Sequence, residues 1–138
     1  MDRNPYTAAM AYRRTSATVP PAIAVVKLYD GAILRIHRAI VALEDRKLDD
    51  SFSQIISAVS ILRGLSYTLD FERGGELASR LRRMYSRNIM ALLRSVGKPD
   101  AAERYRKIAA GLKSLRDAWE IVANRPLEDY RKAAAAAS

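Results

Sequence analysis

Residues 22–45 read AIAVVKLYDGAILRIHRAIVALED, and the spacing of their apolar side chains decides the fold. Val26, Tyr29, Ile33, Ile36, Ile40 and Leu43 follow one another at intervals of 3, 4, 3, 4 and 3. At about 3.6 residues per turn, a helix gathers all six on one face. A strand, with its period of two, would scatter them over both. Ile23, Leu28 and Ala32 widen the face beyond a narrow stripe. A helix over 22–45 therefore needs neighbours on more than one side.

The same rhythm recurs downstream. Phe52, Ile55, Val59, Leu62, Ser66 and Leu69 mark a helix over 52–69, and Tyr105, Ile108, Leu112, Leu115, Trp119 and Val122 mark one over 101–123. Leu77, Leu81, Tyr85, Ile89, Leu92 and Val96 line another over 76–96. Short breaks separate them. Residues 46–50 are a polar turn, and Ser51 with Gln54 has the spacing of a capping box. Gly74-Gly75 would cost roughly 2 kcal/mol inside a helix, so it reads as a turn. Gly97-Lys98-Pro99 is a stop, after which Asp100 and Glu103 repeat the capping-box spacing. No segment alternates as a hairpin would. Four helices of similar length with broad seams and short connections predict an all-α, antiparallel four-helix bundle.

The flanks read differently. Asn4 is a good helix cap and Pro5 suits a first helical position, so a short additional N-terminal helix is expected near 4–14. About ten residues are marginal as a free helix, and Tyr6 and Met10 share a face that needs a surface to dock on. Pro20-Pro21 decouples this piece from the next helix. The expected organisation is an N-terminal cap segment and linker over 1–21, the bundle over 22–123, and a flexible C-terminal tail over 124–138.

Composition narrows the function. The chain has 138 residues, no Cys and one His. Thiolate nucleophiles, disulfides, Cys-ligated zinc and multi-His metal sites are excluded. No phosphate loop, nucleotide fingerprint or calcium loop is present. No cofactor, metal or enzymatic activity is expected. The sequence lacks an apolar run of signal or membrane-spanning length, so the cytosol is the expected location. His37 sits beside the seam and Asp30 points off it. The net charge of +9 is uneven: residues 1–70 carry nine basic and seven acidic side chains, residues 71–138 fifteen and eight. Arg80, Arg83, Arg87 and Arg94 fall on one helix face. A solvated face is the plainest reading, with an acidic protein partner or nucleic acid as alternatives. Nucleic acid is not the expectation, because the aromatic residues sit mostly on core seams where bases cannot stack on them.

Asn4-Pro5-Tyr6, Leu28-Tyr29-Asp30-Gly31-Ala32-Ile33, and Leu69-Asp70-Phe71-Glu72-Arg73-Gly74-Gly75-Glu76-Leu77-Ala78, with Leu81, Met84-Tyr85, Leu112, Leu115, Arg116 and Trp119, occur in an order and separation that resembles the flagellar secretion chaperones for flagellin, the FliS family. The resemblance covers residues 4–122. It implies an antiparallel helical bundle that binds the disordered C-terminal region of flagellin, prevents its premature polymerisation in the cytoplasm and delivers it to the flagellar type III export apparatus. It also implies transient contact with the export gate at the membrane. A monomer or weak dimer is expected. Outward residues of the first two bundle helices, near Val25, Leu28 and Ile56, are the expected client-binding groove. Tyr29 and Asp30 of the motif belong to the expected site, and so do Tyr6 and Met10, which would cover it when no client is present. A basic, nucleic-acid-associated helical protein and an adaptor for another client remain the alternatives.

Overall fold

Burying four apolar seams at once takes four helices around one axis, and a computed structural model of the chain, which describes residues 21–69, 71–124 and 136, has that form. The elements are α1 (Pro21–Glu44), α2 (Leu48–Tyr67), α3 (Phe71–Ser95) and α4 (Ala101–Ala123). No strand occurs among the described residues. The short N-terminal helix and the tail beyond 124, Ala136 apart, lie outside them.

Helix α1 packs against α2 and α4, α2 against α3, and α3 against α4, so α1 and α3 face each other across the diagonal. Pairings from α1 to α2 run in opposite order along the two helices. Ser51 Oγ donates to the Ala39 carbonyl at 2.9 Å, Arg35 reaches Gln54, and a side chain at Gly31 would meet Ile61. From α1 to α4, Asp30 pairs with Arg116 and Glu44 with Arg106, again antiparallel. The core is built from Tyr29, Ala32, Ile36 and Ile40 of α1, Ile55, Val59, Leu62 and Leu65 of α2, Tyr85 and Leu92 of α3, and Tyr105, Ala109 and Leu112 of α4. Helix α1 is the most embedded and α3 the least.

Helix α1 and helix α4 begin and end within a residue of the sequence-based limits. Helix α2 does not: it starts at Leu48, four residues early, and Ser51 is a buried residue of its first turn instead of its cap. Arg46 adopts φ 57°, reverses the chain, and lets the Lys47 amide donate to the Ala42 carbonyl at 2.8 Å. Asp49 and Asp50 then fall in the first turn, where the helix dipole favours carboxylates. The buried line of α2 runs Ser51, Ile55, Ala58, Leu62 and Leu65, with small residues at two of its five positions. Phe52, placed on the seam by spacing, is pushed to the rim and stands 48% exposed.

Helix α3 also starts early, at Phe71, but it is broken at Gly75, where φ is 52° and ψ −125°. The expected turn is present as this kink. Leu77, just after it, is exposed and not part of the core. Gly97, at φ 79°, ends α3 as expected of a glycine stop. The second expected capping box is not formed. Asp100 makes no side-chain bond to the backbone of α4 and its carboxylate instead accepts from Arg104 Nε at 2.9 Å, while Glu103 pairs with Lys107. A guanidinium one turn along outcompetes the backbone amides, and it holds the Asp100 carboxyl below its ordinary pKa. Trp119 packs against the core but is only half-buried.

Two glycine replacements separate backbone geometry from helix propensity. Gly75→Ala should cost about 1–3 kcal/mol, because its dihedrals are open only to glycine. Gly111→Ala, in exposed helix with open space around it, should stabilise by about 0.5–1 kcal/mol. Urea unfolding with an unchanged slope measures both. A midpoint for Gly75→Ala at or above that of the unmodified chain would contradict the kink.

Candidate functional site

The run from Leu28 to Gly31 sends four neighbouring residues to four different places. Leu28 is at the surface, 37% exposed. Tyr29 points inward, and no part of it is exposed. Asp30 faces outward towards α4, where Arg116 Nε donates to its carboxylate at 2.8 Å. Gly31 faces α2, 3.4 Å from where Ile61 would touch a Cβ.

Tyr29 crosses the bundle. Its hydroxyl lies 2.6 Å from that of Tyr85 on α3, with ring centroids 6.2 Å apart and the planes tilted by 52°. Burial raises the pKa of both phenols above the ordinary tyrosine range. For Tyr29, hydrogen bonds from Tyr85 and Trp119 oppose that rise, whereas for Tyr85 the Tyr29 contact adds to it. Both rings stay neutral through the physiological range. Arg116 also contacts Asp117 and Glu120, so one guanidinium serves three carboxylates. Those partners, Asp30 first, hold its proton more firmly than usual.

Of the sequence-predicted binding residues, Leu28 and Ile56 are on the surface, at 37% and 43% exposure. Val25 is half-buried against the core. Asp30 is exposed and ion-paired. Tyr29 is inside the bundle, where nothing from solvent reaches it. Tyr6 and Met10 lie outside the described residues. The register of α1 on α2 sets Leu28 and Ile56 at different levels of the bundle. Ile61 is level with Gly31 and Gln54 with Arg35, which leaves Leu28 and Ile56 roughly 10 Å apart along the bundle axis at about 1.5 Å per residue.

Ile56 belongs instead to a stripe with Leu48 and Phe52, spaced four residues apart and all exposed. Leu34 and Val41, seven apart, form an outer stripe on α1. The α2 stripe is hidden from a seam count that places Phe52 in the core. The four-residue interval from 48 to 56 was the available signal. Such faces can hold apolar side chains of an amphipathic segment. Among the described residues no group of three or more His, Cys, Asp or Glu could hold a metal, and no helix is long and apolar enough to cross a membrane.

Comparison with known proteins agrees with this architecture. The family described as flagellar protein FliS matches residues 3–126. A flagellar secretion chaperone FliS from Campylobacter jejuni is 30% identical over 115 residues, 83% of this chain and 89% of that protein. The flagellar secretion chaperone FliSB of Pseudomonas aeruginosa is 30% identical over 70% of this chain and 76% of its own length. The flagellar secretion chaperone FliS of Bacillus subtilis is 29% identical over 86% of this chain and 85% of its own.

The tyrosine pair gives a stability prediction with a pH signature. Tyr85→Phe should cost about 1–2 kcal/mol, because it leaves the buried Tyr29 hydroxyl short of a partner. Folded pKa values above the unfolded value of about 10 mean that the unfolded chain releases these protons first. Their stabilisation is complete below about pH 10 and is lost as pH rises beyond it. Denaturant melts at rising pH should show a steeper alkaline loss in the unmodified chain than in Tyr29→Phe/Tyr85→Phe. Parallel pH curves would show that the phenols are not buried together.

Proposed function

The chain belongs to the FliS family of flagellar proteins, whose relatives are named as chaperones and not as enzymes, and from that premise we propose that it is the export chaperone of a flagellin. In this reading it binds the disordered C-terminal region of flagellin in the cytoplasm, prevents premature polymerisation, and delivers the client to the flagellar type III export apparatus by a transient contact with the export gate. It acts as a monomer or weak dimer. The observation that carries the reading is the family match together with apolar stripes left on the outside of a bundle whose core is already filled.

A folded bundle with spare apolar surface suits a client that has no structure of its own. The client folds as it binds, and its ordering entropy is subtracted from the affinity. Leu28 and Ile56 touch client side chains directly, with Val25 beneath. Tyr29 contributes by fixing α1 from inside, and Asp30 by tying that end of α1 to α4. Residues 1–21 act as a reversible cover, with Tyr6 and Met10 in place of client side chains, while residues beyond 124 form a tail.

Calorimetry with an isolated flagellin C-terminal fragment tests the proposal. Leu28→Asp and Ile56→Asp should each weaken binding about tenfold or more while circular dichroism melts stay unchanged, since both side chains are exposed. Raising salt from about 0.1 to 0.5 M should change affinity only modestly. No measurable binding of the fragment would reject flagellin as the client. Deletion of residues 1–15 should leave the bundle folded and binding as tight or tighter, because removing a competitor lifts a population penalty on the open state. A marked loss of affinity in the folded, truncated protein would show that the segment clamps the client and does not cover its site.

A further inference from the structure

Charge is distributed over the bundle in two different ways. All five basic residues of α4, Arg104 to Arg116, are ion-paired. Helix α3 carries six basic residues against two acidic ones over 71–95. Arg80 pairs with Glu76, but Arg83, Arg87 and Arg94 are exposed and have no ion-pair partner among the described residues. With Met90, also exposed, they recur at intervals of 4, 3 and 4, which lines them up on one outward stripe about 16 Å long. Beside the upper end of this stripe lies a depression of about 620 Å³, lined by Ser79, Arg82, Arg83, Ser86 and Arg87.

We propose that this stripe of α3 is a second docking surface, for an acidic amphipathic segment of another protein. Charge complementarity selects the partner. Three unneutralised guanidinium groups at helical spacing present forked donors that match carboxylates, and the Ser79 and Ser86 hydroxyls add neutral hydrogen-bonding groups alongside. Met90, between Arg87 and Arg94, gives the stripe an apolar anchor point. A partner helix of about three turns, with Glu on one side and a single apolar residue facing Met90, covers it. Nucleic acid fits less well. The only Tyr of the regular part of α3, Tyr85, is buried, so no aromatic platform stands among the arginines to stack on bases. The surface is separate in character from the apolar client stripes, and it stands whether or not flagellin is the client.

Fluorescence anisotropy of the full chain with a labelled, acidic amphipathic peptide about 15 residues long tests the proposal. Duplex DNA and vesicles of phosphatidylglycerol and phosphatidylcholine serve as competing probes at the same salt. The peptide should bind, and Arg83→Glu/Arg87→Glu should weaken it at least about tenfold. Arg106→Glu/Lys113→Glu, with the same change in net charge but placed on α4, should weaken it less than about threefold. Arg94→Glu alone should give an intermediate loss. Circular dichroism melts confirm that each variant is folded. The proposal fails if the peptide does not bind, or if the α3 and α4 variants lose equally, which would reduce the effect to overall charge. It also fails if DNA or vesicles bind more tightly than the peptide through the same arginines.

Discussion

The bundle depends on two phenols that meet in its middle. The backbones of α1 and α3 lie apart across the diagonal, yet Tyr29 and Tyr85 span the gap and share a 2.6 Å hydrogen bond. Both hydroxyls are shut off from water, so each relies on protein partners. Sliding α3 by one turn, about 5.4 Å, would break the pair and leave the Tyr85 hydroxyl with no partner. That matters most for α3, the helix with the least packing of its own. Apolar side chains alone tolerate alternative registers; a hydroxyl pair at one level does not. The small residues Ala32, Ala39, Ala58 and Ser51 do complementary work between α1 and α2, where close approach is needed and large side chains would hold the helices apart.

This core has a consequence for the surface. The filled core leaves several large apolar side chains at the surface, among them Phe52, which spacing would send inward. Leu48, Phe52 and Ile56 on α2 and Leu34 and Val41 on α1 are the result. Ion pairs then divide the exterior further. Asp30–Arg116 and Glu44–Arg106 staple α1 to α4 and neutralise that side, while Arg83, Arg87 and Arg94 of α3 have no ion-pair partner among the described residues. One bundle thus carries an apolar exterior on α1 and α2, a neutralised one on α4 and a basic one on α3.

Helix number, order and class were legible in the 3-4 rhythm, because that rhythm reports helical geometry directly. The limits of α1 and α4 were legible too, where a proline pair or a Gly-Lys-Pro stop leaves little choice. The start of α2 was not. Ser51 and Asp100 both have the spacing of caps, but a cap competes with every other partner its side chain can reach. Ser51 found the Ala39 carbonyl on another helix, and Asp100 found Arg104. Neither partner is visible in a local motif. Phe52 was misplaced for a related reason: counting large apolar residues cannot see that the buried line starts at Ser51 and passes through Ala58, which turns Phe52 to the rim. At the site, the motif around Tyr29 was legible as a unit, but the separate destinations of its residues depend on three neighbouring helices. Arg116, the partner of Asp30, lies 86 positions away.

In the function proposed, separated apolar stripes favour a particular kind of client. Leu28 sits at one level of the bundle and Ile56 roughly 10 Å further along it, so no single rigid knob covers both. A folded protein would have to present two apolar patches at a matching separation and orientation. A disordered chain needs only enough length to pass from one patch to the next, and it gains a little at each. Every residue it fixes costs conformational entropy, on the order of 1–2 kcal/mol for the backbone alone, so much of the contact energy is offset and the affinity per unit of surface stays low. Under the proposed export function release is stepwise: one stripe lets go while another still holds. For the function proposed, selection for unfolded clients and easy surrender of them have one common origin, a closed core whose spare apolar surface is divided.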